Sequence, residues 1–256
     1  MNIFVCLKQV PDTEASISVK DGNTINETSI KWIISPYDEY AIEEALKLKE
    51  KNPGSTVTAL SLGPTRVDAV LRTALAMGVE KAIHIETKGY LDYKNVARAL
   101  AEVIRKETIV DIIFMGKQAI DDDAYQIHGL LSVLLDIPVA TNVTAFSFTS
   151  NAVLVEREID EGAREKIEMK LPCIVGAAKG LNSPRYASVM GIMKAKKMEV
   201  KKIQIDELGI NESQNKVILI KLNAPAEKPQ GRIIPGEPAA AVKELVGLLR
   251  NDAKVI

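Results

Sequence analysis

The stretch that decides the fold is VDIIFMGKQAIDDD, which occupies residues 110–123. Its first part, 110–115, is apolar except at Asp111 and is typical of a strand that is buried on both faces of a sheet. A loop from Gly116 to Asp123 follows, and apolar residues then recur at a spacing that predicts a helix over about 124–135. A buried strand, a loop and a helix in this order indicate a parallel sheet whose strands are joined by helices.

The segments before this stretch repeat the same alternation of strand and helix. Ser35, Pro36 and Asp38 supply the N-cap residue, first-turn proline and early acid of a helix start. A turn at 21–23 between the strand-like runs 17–20 and 24–26 predicts a short hairpin, which would be an insertion. The sequence therefore predicts an α/β fold with a doubly wound, mostly parallel sheet. The predicted strands are 2–8, 56–62, 81–86 and 110–115, and the predicted helices are 36–51, about 65–77, 91–106 and about 124–135.

From residue 139 the pattern changes to short strand-like runs, which predict that antiparallel strands extend the sheet. A short basic helix over 192–198 comes next, and residues 1–205 are predicted to form the α/β domain. Residues 206–256 are predicted to be an extended linker and a C-terminal helical arm that docks on a partner. The short strands are 139–146, 152–158, 166–171 and 173–178; the arm has loose segments at 206–215 and 223–236, a strand-like run at 216–222 and a helix over 238–250.

Composition excludes several classes of protein. With 33 basic and 34 acidic side chains, the net charge of −1 provides no field to attract a polyanion, so nucleic acid is not expected as a partner. No apolar run reaches the roughly 18 residues needed to cross a bilayer, which argues against direct membrane insertion. The two cysteines, Cys6 and Cys173, lie in aliphatic surroundings that favour buried thiols in a reducing compartment. We therefore expect a cytoplasmic protein.

The loop from Gly116 to Asp123 is the best candidate for a ligand site. In a doubly wound sheet, ligands bind beyond the carboxyl ends of the strands, and a helix N-terminus suits a phosphate. The alternative, which the sequence leaves open, is that the three aspartates only complement the dipole of the next helix. Neither a Gly-x-Gly-x-x-Gly fingerprint after the first strand nor a Walker loop is present, and no nucleophile elbow occurs. The Cys and His residues are isolated in sequence, so no metal site is expected.

Several motifs in register resemble the β subunit of electron transfer flavoprotein. They include the loop 116–123, LNSPRYA at 181–187 and IMKAKK at 192–197. The resemblance runs from residue 2 to about residue 200 and is weak only in the tail. Further matching motifs are SPY at 35–37, EEA at 43–45, RTALAMG at 72–78, VEREID at 155–160 and KLP at 170–172.

This resemblance implies a Rossmann-like domain that pairs with an α subunit. In that family the α subunit holds most of a redox-active FAD, whereas the β subunit buries AMP or, in electron-bifurcating members, a second FAD. Carried over position by position, the nucleotide pocket would be formed by Cys6, Ser35, Pro36, Tyr37, Asp38, Leu62, Gly116, Lys117, Gln118, Ala119, Ile120, Asp121, Asp122, Asp123, Ala124, Tyr125, Gln126 and Ile127.

The identity of the nucleotide depends on residues at the end of this loop. AMP-holding members resemble this chain in the run of three aspartates, whereas bifurcating members tend to have glycine at the middle position. Asp122 therefore favours AMP, although Ala124 and Gln126 differ from the usual AMP-type continuation. The alternative is a bifurcating subunit that holds a second FAD in a complex fed by NADH.

Residues 184–198 resemble the family's recognition loop, which docks on partner dehydrogenases. An apolar anchor beside lysines would combine a hot spot with steering toward an acidic surface. The resemblance implies an electron carrier without turnover of its own, reduced by acyl-CoA or related dehydrogenases and oxidised by a membrane quinone oxidoreductase. Two rivals are an ATP-pyrophosphatase-like enzyme, whose phosphate motifs are missing, and a nucleotide-sensing module. The expected docking residues are Val189, Met190, Ile192, Met193, Lys194, Lys196 and Lys197.

Overall fold

The computed structural model describes residues 1–22, 24–107, 109–149, 152–226 and 230–256. Within these ranges, a nine-stranded sheet forms the centre of the protein. Two smaller pairings lie outside the main sheet: Gln9–Pro11 (β2) pairs with Trp32–Ile34 (β5), and Val19–Lys20 (β3) pairs with Thr24–Ile25 (β4). The strands of the main sheet are Asn2–Leu7 (β1), Thr56–Gly63 (β6), Lys81–Glu86 (β7), Ile112–Gly116 (β8), Val139–Phe148 (β9), Val153–Glu158 (β10), Arg164–Met169 (β11), Cys173–Ala177 (β12) and Val200–Gln204 (β13).

The order of the strands in the main sheet is β11-β10-β9-β12-β8-β1-β6-β7-β13. All neighbours are parallel except the β9–β10 and β10–β11 pairs. The predicted α/β fold, with a mostly parallel sheet and an antiparallel extension, is therefore confirmed. Because the chain proceeds from β1 through β6 and β7 to one side and from β8 through β12 to the other, the topological switch point lies between β1 and β8.

Two layers of helices cover the sheet, and each has its own apolar core. Ala41, Ile42 and Leu71 pack on one face, while Leu100 and Leu131 pack on the other. Three of these helices follow strands of the main sheet, so their N-termini lie near the edge at which those strands end, whereas the helix over 36–51 follows β5. The helices are Pro36–Lys51 (α1) and Asp68–Met77 (α2) on the first face and Tyr93–Glu107 (α3) and Ile127–Leu135 (α4) on the second.

The fourth helix begins three residues later than the sequence predicted. Asp123 and Tyr125 have φ values of 47° and 56°, which place them in the left-handed region. A right-handed helix cannot include such residues, so 124–126 remains part of the loop and the helix begins at Ile127. The predicted helix start at residue 124 was wrong, because backbone dihedrals imposed by the fold overrode local propensity.

The later elements also differ from prediction. The short helix is Val189–Ala195 (α5), capped by Ser188, whose Oγ accepts a hydrogen bond from the Gly191 amide. It therefore begins and ends three residues before the predicted 192–198. The charged strand β13 was not predicted. Residues 216–222 are not a strand, and the amides of Lys216 and Val217 instead donate to Asp92.

The predicted hairpin and C-terminal helix are present. Strands β3 and β4 form the hairpin, and Asn23 in its turn lies outside the described residues. Pro238–Asn251 (α6) is the C-terminal helix, and its side chains are largely exposed. The predicted loose segment 223–236 includes residues 227–229, which are also outside the described residues. Among the helices in the described part of the chain, none is long and apolar enough to cross a membrane.

Candidate functional site

A cavity of about 420 Å³ opens at the switch point between β1 and β8. Its floor is formed by residues at the carboxyl ends of the strands, including Cys6, Leu62 and Met115. The loop after β8 covers one side, and the start of α3 forms the opposite wall. The predicted site residues that line it are Cys6, Asp38, Leu62, Gly116, Lys117, Gln118, Ala119, Asp121, Asp122, Ala124, Tyr125, Gln126 and Ile127.

Asp38 holds the two central strands together at the base of this cavity. Its carboxylate accepts a 2.7 Å hydrogen bond from the Lys8 amide and another 2.7 Å bond from the Gly116 amide. The side chain is only 5% exposed. Burial raises the pKa of Asp38 to about 7, although both amides favour the charged form. Asp38 thus fixes the ends of β1 and β8, on either side of the switch point.

Ser35, Pro36 and Tyr37 support the site from behind rather than lining it. The Ser35 amide donates to the Lys8 carbonyl at 2.9 Å, which ties the start of α1 to the end of β1. A Cβ atom placed on Gly116 would lie 2.6 Å from Asp38 Oδ1 and 2.7 Å from Tyr37 Cβ. Only glycine therefore permits α1 to approach the end of β8 this closely. Ile120 and Asp123, although predicted as site residues, also lie outside the cavity wall.

Lys8 crosses the mouth of the cavity and was not predicted from the sequence. Its ammonium forms ion pairs with Asp121 at 2.8 Å and with Asp122 at 2.7 Å. Burial lowers the pKa of Lys8, but the two carboxylates outweigh it and raise that pKa above its usual value. The Tyr93 hydroxyl donates to Asp122 at 3.0 Å from the other side. The acidic loop is therefore held between the end of β1 and α3. Its aspartates form specific contacts and do not only complement the dipole of the next helix.

The wall opposite the loop is apolar and aromatic, and sequence reasoning missed all of it. The residues it adds come from the turn before α3 and from the first two turns of that helix. Topology contained a usable signal, since the segment after β7 must begin at the same sheet edge as the loop after β8. The lining residues that were not predicted are Leu7, Lys8, Tyr90, Leu91, Tyr93, Val96, Leu100, Met115 and His128.

The cavity has the chemistry of a binding site. His128 Nε2 donates to the Lys117 carbonyl at 2.8 Å, and burial lowers the pKa of the imidazole, which favours its neutral form. Its Nδ1 is then a buried acceptor, for which the described residues provide no hydrogen-bond partner. Burial and the neighbouring Asp38 raise the pKa of Cys6 to about 12, so its thiol is not a nucleophile. Such a site can enclose a ligand and satisfy its polar groups.

A second feature is the exposed face of α5. Val189 and Met190 are 75% and 81% exposed, and Met193 is also largely exposed. The helix is nevertheless firmly mounted, because a Cβ on Gly191 would lie 2.3 Å from the Ala76 carbonyl oxygen. Ile192, Lys194, Lys196 and Lys197 are exposed as well, so the structure brings all seven expected docking residues onto one short surface segment.

The two ends of the segment around α5 are tied to neighbouring helices. A guanidinium nitrogen of Arg72 on α2 donates to the Ala195 carbonyl at 2.9 Å, and Asp68 holds the same guanidinium at 2.6 Å. On the other side, Arg185 pairs with Glu43 at 2.8 Å and with Glu50 at 2.7 Å. The exposed apolar side chains are thus presented on a fixed support.

The sequence of the chain was compared with those of known proteins and matches one family. The model of the electron transfer flavoprotein domain matches residues 22–208. The electron transfer flavoprotein subunit beta of Bacillus subtilis is 42% identical over 261 residues, which cover the whole of both chains. The chain belongs to the electron transfer flavoprotein β-subunit family. The corresponding subunit of Dictyostelium discoideum is 39% identical over all of this chain, and that of Mus musculus is 39% identical over 90% of it.

Membership of this β-subunit family applies to the part of the chain that carries the cavity and the exposed α5 face. The resemblance noted from the sequence motifs is confirmed, and electron transfer is the functional class of the chain. The cavity and the α5 surface both lie within the matched range, apart from the cavity residues Cys6, Leu7 and Lys8.

Proposed function

We propose that the chain is the β subunit of a heterodimeric electron transfer flavoprotein and that its cavity binds AMP as a structural ligand. The observation that carries this proposal is the enclosed cavity at the switch point of a chain in this family. A volume of about 420 Å³ lies within the usual range for small-ligand pockets, roughly 300–1,000 Å³. The apolar wall from α3 suits the adenine ring, and the loop before α4 suits the phosphate.

The charges at the mouth favour AMP over FAD. FAD adds a second phosphate, a ribityl chain and a three-ring isoalloxazine to the AMP unit. Asp121 and Asp122 already pair with the Lys8 ammonium, so a second phosphate there would meet two carboxylates. The other lysine in the cavity wall, Lys117, places its ammonium 5.2 Å from the centre of the Tyr37 ring. The amides of Lys117, Asp123 and Ala124 are bonded within the protein, which further limits the donors available for a pyrophosphate.

The α subunit is proposed as the partner that holds the redox-active FAD. The chain exposes a run of apolar residues at 217–219 and further apolar side chains on α6, including Val242 and Leu245. Apolar surface of this extent on a soluble chain favours burial against another protein. FAD bound in the complex supplies the electron-accepting and electron-donating ring, whereas this chain contributes the fixed domain, the structural nucleotide and the docking surface.

The α5 face is proposed to dock acyl-CoA or related dehydrogenases as electron donors, with a membrane quinone oxidoreductase or another flavoprotein as the acceptor. Val189 and Met190 are exposed apolar side chains on a fixed helix, and the exposed lysines Lys194, Lys196 and Lys197 add positive charge close to them in sequence. Such a combination supports recognition of an acidic partner surface with an apolar pocket. In this proposal the chain carries electrons and turns over no substrate itself.

Expression with and without the α subunit tests this assignment. We expect the isolated chain to be colourless, because the cavity is proposed to hold AMP and no flavin. Co-expression should yield a yellow one-to-one complex whose flavin is reduced by an acyl-CoA dehydrogenase and its substrate. A yellow monomer with stoichiometric FAD would contradict the proposed division of labour between the subunits.

A further inference from the structure

The root of the C-terminal arm is hydrogen-bonded to the turn that begins α3. Asp92 is 3% exposed, and one of its carboxylate oxygens accepts bonds from the Lys216 amide at 2.6 Å and the Val217 amide at 3.3 Å. The other oxygen accepts from the Asn95 amide at 2.9 Å. A single buried carboxylate therefore joins the first turn of α3 to the beginning of the arm.

Asn215 completes this junction from the side of the arm. Its side-chain oxygen accepts from the Asp92 amide and from the Asn95 side-chain amide, both at 3.0 Å. Its own amide group donates to the Tyr90 carbonyl at 2.8 Å. Removing the Asn215 side chain would leave the buried Asp92 amide and the buried Asn95 side-chain amide without this acceptor, which is costly. We call Asp92, Asn95 and Asn215 the arm junction.

The turn held by the arm junction is also a wall of the cavity. Tyr90 and Tyr93, which flank Asp92 closely in sequence, both line the cavity. The Tyr93 hydroxyl in turn donates to Asp122 in the loop on the opposite side. Hydrogen bonds therefore run from the arm through the turn before α3 to the loop proposed to hold the phosphate.

We infer that Asp92 and Asn215 are positioning residues for the nucleotide cavity, through which nucleotide binding and docking of the arm on the α subunit strengthen each other. This inference rests on the proposed function. The arm junction keeps the tyrosine wall in the geometry that encloses the nucleotide, and the enclosed nucleotide keeps the turn in the geometry that seats the arm. Coupling between two binding events is reciprocal, so each ligand must raise the affinity for the other by the same factor.

The first test compares two asparagines in the same segment. Asn215→Ala removes the contacts to Tyr90, Asp92 and Asn95, whereas the control Asn211→Ala removes bonds only to nearby Ser213. Calorimetric titration of the full-length chain with AMP measures the affinity. Asn215→Ala should lower the affinity for AMP about 5-fold or more, in line with typical coupling factors, and Asn211→Ala should lower it less than about 2-fold.

The second test measures the coupling between AMP binding and α-subunit binding. A contact that only stabilised the fold would not produce such coupling. In the native protein, saturating AMP should tighten binding of the α subunit by about 5-fold or more, and in Asn215→Ala that factor should fall toward one. If Asn215→Ala does not fold, Lys216→Pro replaces it. This change removes the amide that donates to Asp92 together with an exposed lysine side chain, and Asn215 already has a ψ of 138° that precedes proline readily.

The outcomes separate this inference from the proposal on which it rests. Equal AMP affinities for Asn215→Ala and Asn211→Ala, or an unchanged coupling factor, would overturn the role of the arm junction and leave the AMP assignment intact. Failure of the native chain to bind AMP at millimolar concentration would overturn the AMP assignment and this inference together.

Discussion

The cavity at the carboxyl ends of β1 and β8 and the exposed face of α5 belong to one domain but have opposite physical character. The cavity is concave, and the polar groups at its mouth, Lys8, Asp121 and Asp122, already bond to one another. The α5 face is convex, and its apolar side chains Val189 and Met190 project from the surface. The first arrangement suits a small molecule that remains bound, and the second suits a protein that binds and leaves. The domain can thus keep a structural ligand and a transient contact physically separate.

The largest expected effect concerns the close approach of α1 to β8. Gly116→Ala places a Cβ atom within 2.7 Å of both Asp38 and Tyr37, so we expect a loss of about 1–3 kcal/mol in the free energy of unfolding together with weakened AMP binding. Gly129→Ala, in open space on α4, is the matched control and should stabilise the protein by about 0.5–1 kcal/mol. Denaturant unfolding of both variants checks this, and equal stabilities would show that the approach is not tight.

The next prediction acts only on the α5 face. Val189→Asp should slow reduction of the heterodimer by a dehydrogenase at least 10-fold, because it places a charge where an apolar anchor enters a pocket. Nucleotide content and flavin absorbance should not change. The control is Val133→Asp, since Val133 is 81% exposed on α4, away from α5. Stopped-flow reduction measures both variants, and unchanged rates for Val189→Asp would mean that α5 is not the docking site.

A smaller effect is expected from the charges that surround the anchor. Neutralising Lys194, Lys196 and Lys197 together should slow association with the dehydrogenase several-fold at low salt and flatten its dependence on ionic strength. The control neutralises three exposed lysines elsewhere on the domain, namely Lys81, Lys106 and Lys170. Association rates of both triple variants are measured at several salt concentrations. The same salt dependence in both triple variants would contradict steering by the α5 lysines.

The last variant acts on the base of the cavity and concerns the pH dependence of stability. The pKa of Asp38 is about 7 in the folded protein and its ordinary value is 3.8, so between about pH 4 and pH 7 the folded state binds more protons at this site than the unfolded state. The contribution of Asp38 to stability is therefore fully present below about pH 4 and is lost as the pH rises to about 7. Asp38→Asn should remove that part of the pH dependence. Urea unfolding at pH 5 and pH 8 measures this pH dependence. The same change in the free energy of unfolding between the two pH values for both proteins would contradict the raised pKa.

The sequence predicted the cavity's loop side better than its α3 side, for a physical reason. Gly116 and the aspartates follow a buried strand directly, so their position at the carboxyl edge follows from local pattern alone. Lys8 and Tyr93 enter the site only because β1, α3 and the loop converge in three dimensions. Such contacts have no signature in a local pattern, and only the topology of the sheet could have indicated them.

Two errors along the chain show how tertiary context overrides local pattern. Residues 216–222 are rich in Ile, Val and Leu and therefore resemble a strand, yet their first two amides bond to Asp92 at the start of α3. Conversely, the Val200–Gln204 strand carries two consecutive lysines and was missed, because an edge strand needs few apolar residues to pair with β7. The overall sheet was predictable because its central strands are apolar on both faces.

The most direct test of the central claim is chromatography of the nucleotides released when the purified heterodimer is denatured. A structural AMP bound at the carboxyl ends of β1 and β8 predicts one AMP and one FAD per heterodimer. Two FAD and no AMP per heterodimer would contradict the account and assign the cavity to a second flavin.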